Sequence, residues 1–558
     1  MPRRTVLSLL SAILLLSLAI RWPRSPHEVG VDSFFIHNLT TNILDNGNAE
    51  WTINVLSYFG WFPLSYPSAN PFLLASGSSV TGFNVEATIL LFSLLMGPVG
   101  TLGAFLMARG IRDDDGFALA VSLFYGLAPR FLAFTLWTAS TRSLFMALLP
   151  VFIWSLFRYN RTRSYADLSM MAISILMLAA THRLVVLVFV VILAFVAGVI
   201  VQVALRVLRI RFPSIILKNS VRRASPHIAL SAVVGVAFLM LGATNVLNEY
   251  SHGEFASGST LPIQILNLSV SLGRSVGIAL PLSLVGLLVL TRQRNKTMSE
   301  PFLALVLVGL IPTLFLRAYT GFYILPFLSL FAGLGFVGII RSHRHRRLVI
   351  GVVTVSILLI TVGSSIYILE VEIDRTPAMP NDAYSTGLYV LRHAPDGTVI
   401  ASEGLMGVRV AAISGARVLP VGGAGTTFQS PELIAYRFFS INEVNGQIAQ
   451  SPLTSLTIDS DSLWVATNIQ AEADWVQILD SPMGSLSPSL MIRYQPVYYL
   501  EDKAHPGQYL AFDNVYCSNL GLSVQHAAYT VYDNGNERLW WLGSPGAGSA
   551  PSPRPECP

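Results

Sequence analysis

Cysteine is almost absent from this chain, with two in 558 residues (Cys517 and Cys557), and charged residues make up only 12%. Two cysteines exclude a disulfide framework and any zinc spacing. So few charges, set against 53% hydrophobic residues and a mean hydropathy of +0.58, exclude an ordinary soluble protein. A P-loop, a Gly-x-Ser-x-Gly elbow and any internal repeat are also missing. Without an inverted repeat or a mid-span charge suited to ion coupling, a transporter is the weaker reading. The net charge of +5 gathers between apolar runs, where arginines act as topology signals, so no nucleic-acid partner is expected.

What is present is a series of apolar runs of the length that crosses a bilayer, roughly 20 residues each. They lie at about 5–21, 86–108, 117–136, 143–157, 167–181, 184–205, 227–244, 271–291, 301–316, 322–340 and 348–368, predicting about eleven transmembrane helices. Arg3 and Arg4 before the first run resemble a signal peptide, but Arg21-Trp22-Pro23-Arg24 offers no small-residue cleavage site, so the run reads as a retained span. Arg109/Arg112, Arg158/Arg161/Arg163, Arg206 through Arg223, Arg292/Arg294/Lys296 and "RSHRHRR" (341–347) all fall on the side of the N-terminus. The positive-inside rule makes that side cytoplasmic and puts the region after Ile368 outside the membrane.

From about 369 the composition turns to Gly, Ser, Pro, Asp and Asn, with short β-type runs such as "GTVIAS", "SLTIDS", "VQILD" and "PVYYLE". The expected organisation is a transmembrane domain over 1–368, including a first outer loop at 22–86, then a mixed α/β extracytoplasmic domain over 369–540. Residues 541–558, rich in Gly, Pro and Ser, read as a disordered tail. Cys517 and Cys557 would both face the oxidising side, and their pairing stays open. Asn38-Leu39-Thr40 and Asn267-Leu268-Ser269 are outward sequons.

Chemistry on a lipid-linked substrate needs polar groups at the outer surface. Asp32 opens "VDSFFIHNLTTNILDNG", where Phe35, Leu39 and Ile43 make a stripe that could lie on a bilayer surface. Its carboxylate fits either a helix N-cap or a base at the mouth of a membrane cavity. Arg317, beside Tyr319 at an outer span end, fits either a phosphate ligand or a snorkelling anchor. Arg142, His182 and Arg183 are further outward cations, and Glu254 lies in a Gly/Ser-rich outer loop with His252.

Several stretches together resemble the GT-C class of membrane glycosyltransferases, and most of all the catalytic subunit of oligosaccharyltransferase. They are an acidic residue soon after span one, an amphipathic helix, "YP" before span two, and a short loop after "AP". "RAYTGFYILPFLSLFAGLG" (317–335) is similar to the part of that family where an outward arginine meets the donor's phosphate. "TVIASEGLMGVRVAAISGARVLP" (398–420) is similar to the start of its soluble domain. The similarity is patchy and covers about the first 430 residues.

The resemblance implies a polyprenyl-phosphate-linked donor held by Arg317, Arg142, His182 and Arg183, with Asp32 and Glu254 as catalytic residues. It implies transfer of a sugar or glycan to an extracytoplasmic protein or glycan acceptor at a prokaryotic, plausibly archaeal, cell membrane. The departures matter equally. Where the family carries an acidic pair that helps hold a divalent metal, this chain reads Ser140-Thr141-Arg142. Asp32 is then at most a single weak ligand, and Mg²⁺ or Mn²⁺ is not expected. Where the family's Trp-Trp-Asp-Tyr-Gly motif grips a sequon, this chain reads Glu403-Gly404-Leu405-Met406-Gly407, and Trp540-Trp541 far downstream reads as core packing. These losses leave an alternative: a non-catalytic relative that binds a lipid-linked glycan or a partner protein.

Overall fold

The computed structural model describes residues 1–47, 69–182, 185–207, 269–270, 272–292, 299–310, 320–342, 347–375, 378–395, 398–402, 404–420, 496–503 and 529–542. In chain order the helices begin with α1 (Arg3–Ile20), α2 (Val31–Asn46), α3 (Ala69–Thr81), α4 (Val85–Ile111) and α5 (Asp115–Gly126). There follow α6 (Pro129–Ala133), α7 (Thr141–Thr162), α8 (Tyr165–Thr181), α9 (Val186–Val207) and α10 (Ala279–Arg292). The last are α11 (Ser299–Leu310), α12 (Thr320–Ser342), α13 (Arg347–Arg375), α14 (Asn381–His393) and α15 (Gly404–Ser414). The strands are β1 (Val399–Ser402), β2 (Arg417–Pro420), β3 (Tyr498–Asp502), β4 (Tyr529–Asp533) and β5 (Glu537–Trp541). Two compact units result. One holds Met1–Trp22, Leu91–Leu136 and Ser140–Arg375; the other holds Pro23–Leu90, Trp137–Ala139 and Thr376–Pro558.

The first unit is helical. Helices occupy, wholly or in part, each predicted apolar run except 227–244, which lies outside the described residues. Among the described residues five stretches, Arg3–Ile20, Val85–Ile111, Thr141–Thr162, Tyr323–Ser342 and Leu348–Val371, are long and apolar enough to cross a membrane, and other apolar helices there are shorter. The predicted run at 117–136 is broken: Pro129, which lacks an N–H, starts the new helix α6 after α5 ends at Gly126. Local signals set the helix starts. Asp114 accepts from Phe117 N at 3.2 Å, Ser140 from Arg142 N at 3.3 Å and Ser164 from Asp167 N at 3.2 Å.

Helices α10 and α12 pack backbone to backbone. A Cβ on Gly286 would fall 1.8 Å from the Phe331 carbonyl, and one on Gly335 would fall 2.2 Å from that of Leu282. Only small residues permit this approach, which membrane helices use in place of a hydrophobic driving force. Phe157, Phe195, Phe302 and Phe327 cluster edge-to-face within the same core. Arg21, just after α1, is fully buried, yet each of its nitrogens has an oxygen partner. Nε donates to Thr135 Oγ1 (2.6 Å), Nη1 to the Ser17 carbonyl (2.8 Å) and hydroxyl (2.7 Å), and Nη2 to the Gly126 carbonyl (3.1 Å). Phe131 stacks beneath it at 4.8 Å. The guanidinium therefore ties the end of α1 to α5 and to the segment after α6.

The second unit holds a mixed five-stranded sheet of order β2-β1-β3-β5-β4. β1 runs parallel to β2 and β3, while β5 is antiparallel to β3 and β4. α15 is the crossover between the parallel strands β1 and β2, the connection parallel pairing requires. "GTVIAS" and "PVYYLE" do become strands, β1 and β3, whereas "SLTIDS" and "VQILD" lie outside the described residues. Trp541 packs against the core as expected, while Trp540 donates from Nε1 to Glu501 at 2.9 Å. Ile400, Met406, Val410, Leu500 and Leu539 form this core together with Phe34 of α2. Helix α2 is thus built into the same core as the C-terminal sheet.

Candidate functional site

Asp32 lies on the first turn of α2, half-buried, and it is not the cap: Gly30, at φ 98°, occupies the N-cap position. Its carboxylate sits where the helix dipole favours a negative charge. The rest of α2 corrects the bilayer-surface expectation. Phe34 through Thr40 are buried without interruption, and the stripe Phe35, Leu39 and Ile43 faces protein rather than lipid. The sequon residue Asn38 is buried as well.

Beside Asp32 stands a constellation that the sequence did not announce. Glu28 is completely buried, and its two carboxylate oxygens are divided between two residues of α2. Ser33 Oγ donates to Oε2 at 2.6 Å, and His37 Nδ1 lies 2.5 Å from Oε1. Ser33 Oγ in turn accepts from Ala139 N at 2.8 Å. The backbone around Glu28 is held as well: Met379 N donates to its carbonyl (3.1 Å), Val29 N donates to the Trp137 carbonyl (3.0 Å), and Val29 bridges Ala378.

A second histidine–carboxylate pair lies in the same unit. His27 Nδ1 is 2.9 Å from Glu86 Oε1, its Nε2 is 3.1 Å from Asn381 Oδ1, and its ring stacks on Tyr384 at 4.0 Å. Trp137 Nε1 donates to the Glu86 carbonyl at 3.3 Å. Burial, and then the neighbouring Glu86 carboxylate, push the Tyr384 phenol above its usual range. Local pattern could not pair these residues, because 59 positions separate His27 from Glu86 and 354 separate it from Asn381.

In the first unit, Arg142 follows the Ser140 cap and rests on Phe134, its guanidinium 5.1 Å from the ring centre. Arg130 of α6, within the apolar run 117–136, rests on the same ring at 5.2 Å. Its only signal was a cation directly after Ala128-Pro129. The two charges lie within about 10 Å of each other, a repulsion of at least ~1.5 kcal/mol at an effective dielectric of ~20. A fork of guanidinium N–H groups matches phosphate geometry. His182 caps the C-terminal end of α8, is buried, and lies 6.1 Å from Phe145. Phe145 is three residues beyond Arg142 on α7, so both belong to one helix face.

Arg317, Arg183 and Glu254 lie outside the described residues. At the position of the family's acidic pair, the Ser140 hydroxyl is committed to helix capping, Thr141 is buried, and Arg142 adds positive charge. Among the described residues no three His, Cys, Asp or Glu side chains are grouped as a metal site would need. This donor set does not fit a divalent ion. In the "EGLMG" stretch, Gly404 begins α15 and Met406 packs in the core.

No protein-family model matches the sequence, and comparison with curated proteins finds no match. Solved structures do match in fold. The Archaeoglobus fulgidus oligosaccharyltransferase, determined in complex with Zn and sulfate, aligns over 96% of this chain and 73% of its own, with a TM-score of 0.54 and 12% identity. The mycobacterial arabinofuranosyltransferase AftD aligns over 98% of this chain and 42% of its own, with a TM-score of 0.52 and 14% identity. Both are membrane glycosyltransferases of the GT-C class, and the likeness is one of fold.

Proposed function

We propose that this chain is a membrane glycosyltransferase that moves a sugar or glycan from a polyprenyl-phosphate-linked donor to an acceptor outside a prokaryotic, archaeal-type cell membrane. The observation that carries the reading is the fold likeness to an oligosaccharyltransferase over nearly the whole chain. In this reading residues 1–368 form the transmembrane domain with a cytoplasmic N-terminus, 369–540 the outer domain, and 541–558 the tail.

The chemistry follows from the charges. Arg142 and Arg130, with Arg317, His182 and Arg183, hold the donor phosphate and balance the charge that grows on it as the sugar departs. Guanidinium charge fixed in the protein takes the place of a metal, in keeping with a donor set that does not fit one. Asp32 orients the acceptor or removes its proton. Glu254, which lies outside the described residues, is given a catalytic role by the family resemblance. The packing role of Met406 supports an acceptor other than a standard Asn-x-Ser/Thr sequon.

Ser140, a cap where relatives carry an acid, favours the second reading of a non-catalytic binder of a lipid-linked glycan or partner protein. Mass spectrometry of membrane glycolipids and surface glycoproteins, with and without the gene, separates the two. A glycoform lost on deletion and restored by the gene supports transfer. An unchanged glycan profile refutes it.

A further inference from the structure

We infer that Glu28, working with His37, is a positioning pair that sets the first turn of α2 and thereby the carboxylate of Asp32. The inference rests on the reading of Asp32 as a catalytic residue. Ser33 and His37 are four residues apart, on one face of α2, and a single carboxylate reaches both. Glu28 therefore staples two successive helical turns from outside the helix. Its own backbone is fastened to Met379 and its neighbour Val29 to Trp137, so the staple is anchored in the chain on both sides.

Asp32 precedes Ser33 by one residue, about 100° around the helix, and is half-buried where Ser33 is wholly buried. The staple thus holds the backbone of the turn while leaving the Asp32 side chain outside its own bonds. A fully buried carboxylate is costly unless each oxygen is satisfied, and breaking such a set leaves uncompensated polar groups. An apolar contact could bury the same surface. What this arrangement adds is direction, because both bonds constrain the rotation and the tilt of the turn that carries Asp32.

The test is a double-substitution cycle in a deletion strain, reading by mass spectrometry the glycoform lost on deletion, normalised to the amount of membrane-inserted protein. Glu28→Asp is one methylene shorter, about 1.5 Å, and cannot reach both partners; a 10- to 100-fold loss of product is expected, roughly as for a small misplacement of a catalytic group. Glu28→Gln keeps the length and can accept from Ser33 and donate to His37, so it should restore activity to within about threefold. In an Asp32→Asn background, Glu28→Asp should cost nothing further, since residues that act through one another are non-additive.

Equal losses in both backgrounds, or full activity of Glu28→Asp, overturn the inference while leaving the role of Asp32 standing. Full activity of Asp32→Asn overturns both. If Asp32→Asn leaves no measurable glycoform, the turn is read directly through Asp32→Cys, with Cys517→Ser and Cys557→Ser, by its labelling rate with a membrane-impermeant maleimide. An unchanged labelling rate on adding Glu28→Asp then overturns the inference; a several-fold change supports it.

Discussion

Replacing Arg130 and Arg142 together by Gln should sharply weaken binding of a polyprenyl phosphate. Both guanidiniums rest on Phe134, at 5.2 and 5.1 Å, which keeps the two charges within about 10 Å of each other, and the proposed function gives them one phosphate to hold. A hydrogen bond to a charged group contributes about 1.5–3 kcal/mol, and each 1.4 kcal/mol is tenfold in affinity. Each single Arg→Gln change should therefore raise Kd by about 10- to 100-fold, and the double change by more. Arg142→Lys should fall in between, since an ammonium keeps the charge and loses the fork. Phe134→Leu, which removes the ring beneath both cations, should cost less, about 0.5–1 kcal/mol per contact. The assay is a calorimetric titration of a synthetic polyprenyl phosphate into the detergent-solubilised protein at low and high salt, with protein melting temperature as the control for folding. A double variant that binds with the wild-type Kd refutes the argument.

Activity should survive EDTA, because Ser140-Thr141-Arg142 do not supply the carboxylates a divalent ion would need; complete loss in chelator with recovery on adding Mn²⁺ would contradict this. Gly286→Val should force α10 away from α12, where a Cβ already meets the Phe331 carbonyl at 1.8 Å, and lower the melting temperature by the equivalent of about 1–3 kcal/mol or more. An unchanged melting temperature would contradict the backbone contact. In the second unit, the Lys503 ammonium, the Gly535 N–H and the Arg538 guanidinium hold the Asp533 carboxylate below its usual range. A depressed carboxylate contributes stability above its unfolded value of about 3.9 and loses it as pH falls further. Asp533→Asn should therefore reduce stability at neutral pH and flatten the acid limb of a melting-temperature profile; an unaltered profile would contradict this.

Hydropathy by itself marked the long apolar helices, since twenty apolar residues between charged loops have few other solutions. α4, α7, α12 and α13 fall on the runs that the sequence marks. The β-branched and aromatic runs at 399–402 and 498–502 were legible as strands for the same reason: their signal is contained in the segment. The apolar stripe of α2 was legible too, but its destination was not. A helix face that suits a bilayer also suits a protein core, and only the fold, in which Phe35, Leu39 and Ile43 are all buried, decides between them. The cap of α2 went to Gly30 rather than Asp32, a one-turn question that local composition leaves open. The polar pairs depended entirely on tertiary structure. His27 with Glu86 and Asn381 is made by chain segments that meet only in the fold, and no periodicity within one segment encodes its partner in another; Glu28 with His37, nine residues apart, and Arg130 with Arg142 on Phe134 depend on how neighbouring segments fold back.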